Sequence, residues 1–195
     1  MRELFPKARA FGVLVNPQNP RAVADLASVR AAAGTLGIEI YEAKDSAESD
    51  FEGAFAALQS KHVDALIILG DPLASSEEKG LAEMALRRAV PAMYFAREFP
   101  QAGGLISYGA SSPDAYRQAG RYVGRILKGE RSGDLPVLQP TKFELVINLK
   151  TAKALALEIP PTLCRFVDFA RPRRQRRAEN YGYHCRAVVL ARSPR

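Results

Sequence analysis

The chain has 195 residues, of which 47% are hydrophobic and 25% are charged, enough for one ordinary domain with an apolar core. Its 14 Gly, 13 Pro and 2 Cys exclude a collagen-like, low-complexity or disulfide-scaffold protein. The longest apolar runs, AFGVLV and ALIILG, are far shorter than the roughly 20 residues that a membrane-spanning helix needs. The residues after Met1 contain no apolar region with a small-residue cleavage site, so no signal peptide is predicted for this reading frame.

The net charge of +7 is located at one end of the chain. Residues 165–195 hold nine Arg and two acidic residues, whereas residues 1–164 hold 19 basic and 19 acidic side chains. The run RPRRQRR cannot bury an apolar face, so residues 162–195 are predicted to form a poorly ordered tail. Clustered Arg could also bind nucleic acid or an acidic membrane. Because no basic helix or aromatic platform accompanies the run, no nucleic-acid partner is expected.

The neutral body alternates short apolar strands with amphipathic helices. Strands are predicted near residues 10–16, 38–43, 65–70, 91–95 and 104–108, and helices over 20–37, 47–60, 74–88 and 111–129. A Pro-containing connector follows, and then a strand over 143–149 and a short helix over 150–158. Such alternation indicates βαβ units with right-handed crossovers. The expected fold is α/β, a three-layer, Rossmann-like parallel sheet covered by helices on both faces.

Four polar or aromatic pairs each follow a predicted strand directly. They are Asn16-Pro17, Asp71-Pro72, Tyr94-Phe95 and Tyr108-Gly109. Any one of the Pro-containing pairs is ordinary turn chemistry that begins a helix. Because ligands of parallel sheets bind at the carboxyl ends of the strands, the four pairs together favour a ligand cleft along one edge.

The sequence offers little support for catalysis. The phosphate-binding loops G-x-G-x-x-G and G-x-x-x-x-G-K-[ST] and the nucleophile motif G-x-S-x-G are absent. His62 and His184 have no partner at metal-ligand spacing, and the two cysteines lack the CxxC spacing of zinc sites. Arg97 and Glu98 could form an acid/base couple, but adjacent opposite charges are more often a surface pair. A protein that is not an enzyme, without metal or cofactor, is therefore expected.

Several blocks of the sequence, in order, resemble the ABC transporter substrate-binding proteins of the type I periplasmic-binding fold. The blocks are LVNPQNP, ILGDPL, VPAMYFAREFPQAGGLISYG, DAYRQAGRYVGRILKGE and DLPVLQPTKFELVINLKTAKAL. They are similar to the branch that includes tryptophan- and tyrosine-type amino-acid binders. The resemblance covers roughly residues 2–161.

The resemblance implies two lobes joined by a hinge, with much of the first lobe missing from this chain. Residues 1–9 would be a remnant of the helix and hinge, residues 10–107 the second lobe, and residues 108–161 hinge-crossing and first-lobe elements. The basic stretch from residue 162 departs from the family and looks like translation in a shifted frame. An apolar face without its lobe is then expected to drive self-association. That face comprises Val123, Ile126, Leu127, Phe143, Leu145 and Ile147.

The resemblance also assigns a ligand-binding site, residue by residue. Asn16 and Asn19 would lie at a helix N-terminus and hydrogen-bond a carboxylate, and Asp71 would meet a ligand ammonium group. Tyr94 and Tyr108 would face the cleft between the lobes. The implied function is non-catalytic binding of an amino-acid-like molecule for an ABC importer, with the permease as partner.

Two other functions remain open from the sequence. A cytoplasmic small-molecule sensor shares the fold, although no N-terminal helix-turn-helix accompanies it here. A nucleotide-dependent α/β enzyme is opposed by the missing phosphate loop. The resemblance places the protein in the periplasm, whereas a chain translated as written, without a signal peptide, would stay in the cytoplasm. The departures from the family would also fit a truncated, weakly binding or non-functional copy of such a protein.

Overall fold

The computed structural model describes residues 1–164, 167–169 and 185–189. The strands are β1 Ala10–Val15, β2 Glu39–Lys44, β3 Ala65–Ile68, β4 Ala92–Tyr94, β5 Ile106–Ala110, β6 Phe143–Ile147, β7 Val167–Phe169 and β8 Cys185–Val189. The α-helices are α1 Pro20–Leu36, α2 Phe51–Ser60, α3 Pro72–Ser76, α4 Glu78–Arg87, α5 Glu98–Ala102, α6 Ser112–Leu127, α7 Leu149–Ala154 and α8 Pro161–Cys164. The helix predicted over 74–88 is thus two helices, α3 and α4. No described helix is long and apolar enough to cross a membrane.

The described strands form one sheet in the order β2-β1-β3-β4-β5-β6-β8-β7. Strands β1 to β5 pair in parallel, as the sequence predicts. All six residues of β1 are buried, because this strand lies between β2 and β3 and beneath helices on both faces. The Gly12 position allows close packing there, since a Cβ added to it would lie 2.6 Å from Leu66 Cδ2. The predicted α/β fold with a mostly parallel sheet is confirmed.

Two helices begin at the carboxyl edge of the sheet with the same local chemistry. The Asn19 side chain caps α1 by accepting from Arg21 N, and the Asp71 side chain caps α3 by accepting from Leu73 N. A proline follows each cap at the first helical position, where its missing N–H costs nothing. Helix α1 then ends at Gly37, whose φ of 64° suits a residue without Cβ. The Asp71-Pro72 pair therefore begins a helix, as the turn interpretation predicts.

Apolar side chains fill both sides of the sheet. One side, with Leu14, Leu66 and Tyr94, packs against the buried faces of α2, α4 and α5. The other side has a cluster in which Phe11 packs with Ala33 of α1. A second cluster on this side is formed by residues of β5, β6 and α7 and includes Leu4 from residues 1–9. Alternate residues of each strand serve opposite sides, as three-layer packing requires.

The strand near residue 143, which the resemblance assigns to a first lobe, is β6. In this chain β6 pairs antiparallel with β5 in the same sheet. Its inward residues Leu145 and Ile147 are only 9% and 0% exposed, because they join the cluster around Leu105. These two residues therefore do not belong to the predicted apolar face. Phe143, at the start of β6, remains 38% exposed.

Helix α6 lies largely outside this packing. Of its sixteen residues, all of them described, only Asp114 is buried. Val123, Ile126 and Leu127 are 55%, 43% and 82% exposed, so the helix part of the predicted apolar face is accessible.

The predicted disorder of residues 162–195 falls mostly outside the described residues. Within that range the structure adds two strands that the sequence did not predict, β7 and β8. Strand β8 pairs in parallel with β6, and β7 pairs in parallel with β8.

Candidate functional site

The carboxyl ends of β1, β2 and β3 bring three polar residues to one edge of the sheet. Asn16 follows β1, Asp45 follows β2, and Asp71 comes three residues after the end of β3. The backbone ties the edge together, since Asp45 N donates to Val15 O at 3.1 Å. We call Asn16, Asn19, Asp45, Gly70, Asp71 and Phe95 the rim.

Asp71 is the hydrogen-bonding centre of the rim. Its Oδ1 accepts from Leu73 N at 2.8 Å and from Asn16 Nδ2 at 3.2 Å. Its Oδ2 accepts from Asn19 Nδ2 at 2.9 Å and again from Asn16 Nδ2 at 3.2 Å. The residue is 7% exposed. The carboxylate therefore links the N-termini of α1 and α3. A ligand ammonium group, which the prediction places at Asp71, would have to bind carboxylate oxygens that already accept hydrogen bonds within the protein.

The amides of Asn16 and Asn19 are engaged in the same way. Asn16 Oδ1 accepts from Gln18 N at 2.9 Å, and Asn19 Oδ1 accepts from Arg21 N at 3.0 Å. Asn19 Nδ2 donates to Gly70 O at 3.2 Å as well as to Asp71. The structure thus places these residues together, where their hydrogen bonds shape the edge of the sheet. Their contact with a ligand carboxylate stays a prediction.

Tyr94 does not face the rim, which corrects the predicted site. It is 1% exposed and its ring stacks on Phe99 with centroids 4.5 Å apart. The hydroxyl is buried without a hydrogen-bond partner among the described residues, and burial raises its pKa. Tyr94 points into the core because it alternates with Met93, whose side chain belongs to the cluster on the opposite side of the sheet.

Phe95, the next residue, occupies the position that the prediction gave to Tyr94. A Cβ built on Gly70 would lie 3.7 Å from the Phe95 ring, so the ring covers that glycine. The Phe95 ring also contacts the Phe99 ring in an edge-to-face arrangement, with centroids 5.1 Å apart. The side chain is half-buried, which leaves an apolar surface beside the polar groups of the rim. Strand alternation from the buried Ala92 onward could have predicted the burial of Tyr94, whereas Phe95 lies beyond the end of β4 and packs against the same cluster as Tyr94.

Tyr108 lies in β5 and is 45% exposed, and its position in a cleft between two lobes stays a prediction. Its ring stacks on Phe143 of β6, with centroids 5.8 Å apart and planes inclined by 18°. The contact crosses the antiparallel pair that the sequence did not predict. An aromatic surface therefore continues the carboxyl edge beyond Phe95.

An ion pair between Arg97 and Glu144 fixes the loop after β4. Arg97 Nη1 lies 3.0 Å from Glu144 Oε2, and Ser111 Oγ donates to Glu144 Oε1 at 2.7 Å. The Glu144 carboxylate is buried, so both of its oxygens are satisfied inside the structure. The Arg97–Glu98 couple considered from the sequence is not the pair that forms. Within the described residues no three His, Cys, Asp or Glu side chains are grouped so as to hold a metal ion.

A parallel α/β sheet with polar and aromatic side chains gathered at its carboxyl edge is the architecture of ligand-binding proteins of the doubly wound class. A family model described as "ABC transporter substrate binding protein" matches residues 1–167. The chain belongs to this family of ABC transporter substrate-binding proteins.

Individual relatives agree with this membership. The chain is 26% identical, over 158 residues, to a "Tyrosine-binding protein" of Clostridioides difficile, and the match covers 81% of this chain and 46% of that protein. A conserved domain protein from Vibrio cholerae is 27% identical, with a TM-score of 0.74 over 84% of this chain and 55% of its own. The fold also matches an ABC domain crystallised with L-Trp from Streptococcus pneumoniae, with a TM-score of 0.75 at 22% identity over 84% of this chain and 57% of that one. This chain spans about half the length of these relatives.

Proposed function

We propose that this chain supplies one wall of a binding site for an aromatic amino acid in an ABC importer, and that it acts without catalysis. The observation that carries the proposal is the rim, where helix N-termini and a carboxylate lie beside the half-buried ring of Phe95. A helix N-terminus suits a carboxylate, and an exposed aromatic face suits another ring. Relatives that bind tyrosine or were crystallised with L-Trp support the same class of ligand.

The partners follow from family membership. A substrate-binding protein of this family would deliver its ligand to an ABC permease from outside the cytoplasm. Closure of two walls on the ligand would then give most of the affinity, because each contact is stronger once water is excluded.

Binding by this chain alone should be weak and selective for aromatic amino acids. If a complete site bound at about 1 μM, half of the contact energy would leave a dissociation constant on the order of millimolar. Ligand at roughly ten times that constant adds about 1.4 kcal/mol of stability, which raises the melting temperature by about 3 to 5 °C. The measurement is a thermal-shift series with 10 mM L-tryptophan, L-alanine or ATP, for which only the aromatic amino acid should raise the melting temperature. A shift with ATP alone would instead favour a nucleotide-dependent enzyme.

We further propose that the exposed face of α6 mediates self-association. Val123, Ile126 and Leu127 lie at helical spacing and are all exposed, and such apolar patches favour association. Light scattering after gel filtration should therefore report a mass above the monomer at about 100 μM protein. The double substitution Val123→Ser and Leu127→Ser should restore the monomer, whereas Leu86→Ser on α4, a residue 38% exposed, should not. A wild-type monomer at every concentration would contradict the proposal.

A further inference from the structure

Arg97 lies at the carboxyl edge of the sheet, two residues after Phe95 and directly before α5. Its guanidinium is placed there by the ion pair with Glu144, a residue of β6 that pairs with Gly109 of β5. Gly109 in turn packs against the backbone of Phe95, since a Cβ built on it would lie 1.9 Å from the Phe95 carbonyl oxygen. The guanidinium and the Phe95 ring are therefore attached to neighbouring backbone segments of the same edge.

The ion pair with Glu144 leaves most of the hydrogen-bond donors of Arg97 unused. A guanidinium has five N–H groups on three nitrogens in one plane. Among the described residues, Arg97 donates only from Nη1, to Glu144 Oε2 at 3.0 Å, and its Nε and Nη2 have no acceptor there. The Arg97 side chain is 25% exposed, so it is not sealed inside the protein. Arg97 therefore keeps donors that a bound molecule can use.

Glu144 holds the Arg97 guanidinium in one orientation. Ser111 Oγ donates to Glu144 Oε1 at 2.7 Å, so both oxygens of this buried carboxylate are fixed. A donor that is already held loses less conformational freedom on binding than a free surface arginine. Nε and Nη2 lie on the same side of the guanidinium, and such a pair of N–H groups binds a carboxylate through two parallel hydrogen bonds.

The rim itself has no positively charged side chain for a ligand carboxylate. At the start of α1, the N–H groups of Arg21 and Ala22 already donate to Asn19, so the helix terminus acts through its dipole and not through free donors. The titratable side chains of the rim are Asp45 and Asp71. Burial and repulsion from Asp71 raise the pKa of Asp45 to about 7. A carboxylate that binds beside these acidic groups needs a cation.

We propose that Arg97 binds the carboxylate of the ligand through Nε and Nη2 while the ligand ring lies against Phe95. The site then selects aromatic molecules that carry a carboxylate over those that carry only an amine. The identity of the ligand rests on the proposed function. The carboxylate site can be observed with acetate alone, so its failure and that of the proposed function are distinguishable.

The first experiment compares L-tryptophan with tryptamine, which lacks the carboxylate, by chemical-shift titration. The wild-type protein should bind L-tryptophan about tenfold more tightly, the usual effect of a hydrogen bond to a charged group. Arg97→Lys keeps the charge but not the planar pair of donors, so it should remove this preference and leave tryptamine binding unchanged. Arg117→Lys, which alters an arginine paired with Asp114 on α6, should preserve it. An unchanged preference in Arg97→Lys would overturn the proposal.

A titration with acetate tests Arg97 without an aromatic ligand and covers the case in which Arg97→Lys does not fold. The Nε–Hε resonance of Arg97 in the wild-type protein should shift and saturate as acetate is added at constant ionic strength, whereas that of Arg117 should not. If Arg97 responds to acetate but neither aromatic ligand binds, the proposed function fails and the carboxylate site stands. An Arg97 resonance that responds no more than that of Arg117 would overturn the carboxylate site.

Discussion

Gly109→Ala should destabilise the protein by about 3 kcal/mol, the upper end of the usual cost of forcing extra atoms into a packed site. A Cβ built on Gly109 would lie 1.9 Å from the carbonyl oxygen of Phe95 and 3.0 Å from its carbonyl carbon. These are backbone atoms, so the contact cannot be relieved by turning a side chain. Either β5 or the chain after β4 has to move, and both movements disturb the rim at Phe95.

Urea unfolding followed by circular dichroism measures this cost. The matched control is Gly34→Ala in α1, where an added Cβ meets nothing within 4 Å. Alanine is favoured over glycine inside helices, so this control should stabilise the protein by roughly 0.5 to 1 kcal/mol. Equal midpoints for the two variants would show that β5 does not approach Phe95 this closely.

Asp45→Asn should stabilise the protein above neutral pH. The pKa of Asp45 is raised from its ordinary 3.8 to about 7, so the folded state holds a proton that the unfolded state has lost between these values. Stability therefore falls as the pH rises from about 4 to about 7 and is constant with respect to this group above that range. Three pKa units set a ceiling of about 4 kcal/mol, and we expect about 2 kcal/mol after relaxation around the charge.

The free energy of unfolding at pH 5 and at pH 8 tests this sign. Wild-type protein and Glu48→Gln should both lose stability between the two pH values, whereas Asp45→Asn should lose less and exceed the wild type at pH 8. If Asp45→Asn were less stable than the wild type at pH 8, the carboxylate would have a stabilising partner that contradicts the assigned environment.

Local sequence signals predicted the elements that local chemistry determines. The buried run of β1 and the helical spacing from Pro20 onward were sufficient to place that strand and the start of α1. The Asp71-Pro72 pair marked the edge of the sheet where α3 begins. Parallel pairing of β1 to β5 followed from the alternation of strands and helices. The division of the 74–88 segment at Glu77 was missed, because no glycine or proline marks it.

Features that depend on contacts between residues far apart in the chain could not be predicted from the sequence. Strand β6 joins β5 antiparallel across a connector of more than thirty residues, and this pairing buries Leu145 and brings Glu144 to Arg97. No local pattern indicates either contact. The burial of Asp45 likewise depends on the packing of three strand ends, so its unusual environment is visible only in the structure.

The prediction that Tyr94, and not Phe95, is the aromatic residue at the rim was wrong for a different reason. A tyrosine was the chemically attractive choice for a binding site, since it offers both a ring and a hydroxyl. The burial of Tyr94 is set by strand alternation within β4, which directs its ring onto Phe99. Phe95 follows the end of the strand, and its half-buried ring lies beside Gly70 at the rim. The direction in which the Tyr94 side chain points therefore decides against it as a rim residue, although its ring and hydroxyl would suit a binding site.

Chemical-shift mapping with L-tryptophan tests the central claim, that the carboxyl edge of the sheet binds an aromatic amino acid. Up to 10 mM ligand should shift the amide resonances around Asn19, Gly70 and Phe95. Phe95→Ala should weaken the response at least fivefold, and Tyr116→Ala, which removes a ring 79% exposed on α6, should leave it unchanged. Shifts confined to the opposite edge near Asp64, or an undiminished response in Phe95→Ala, would contradict the account.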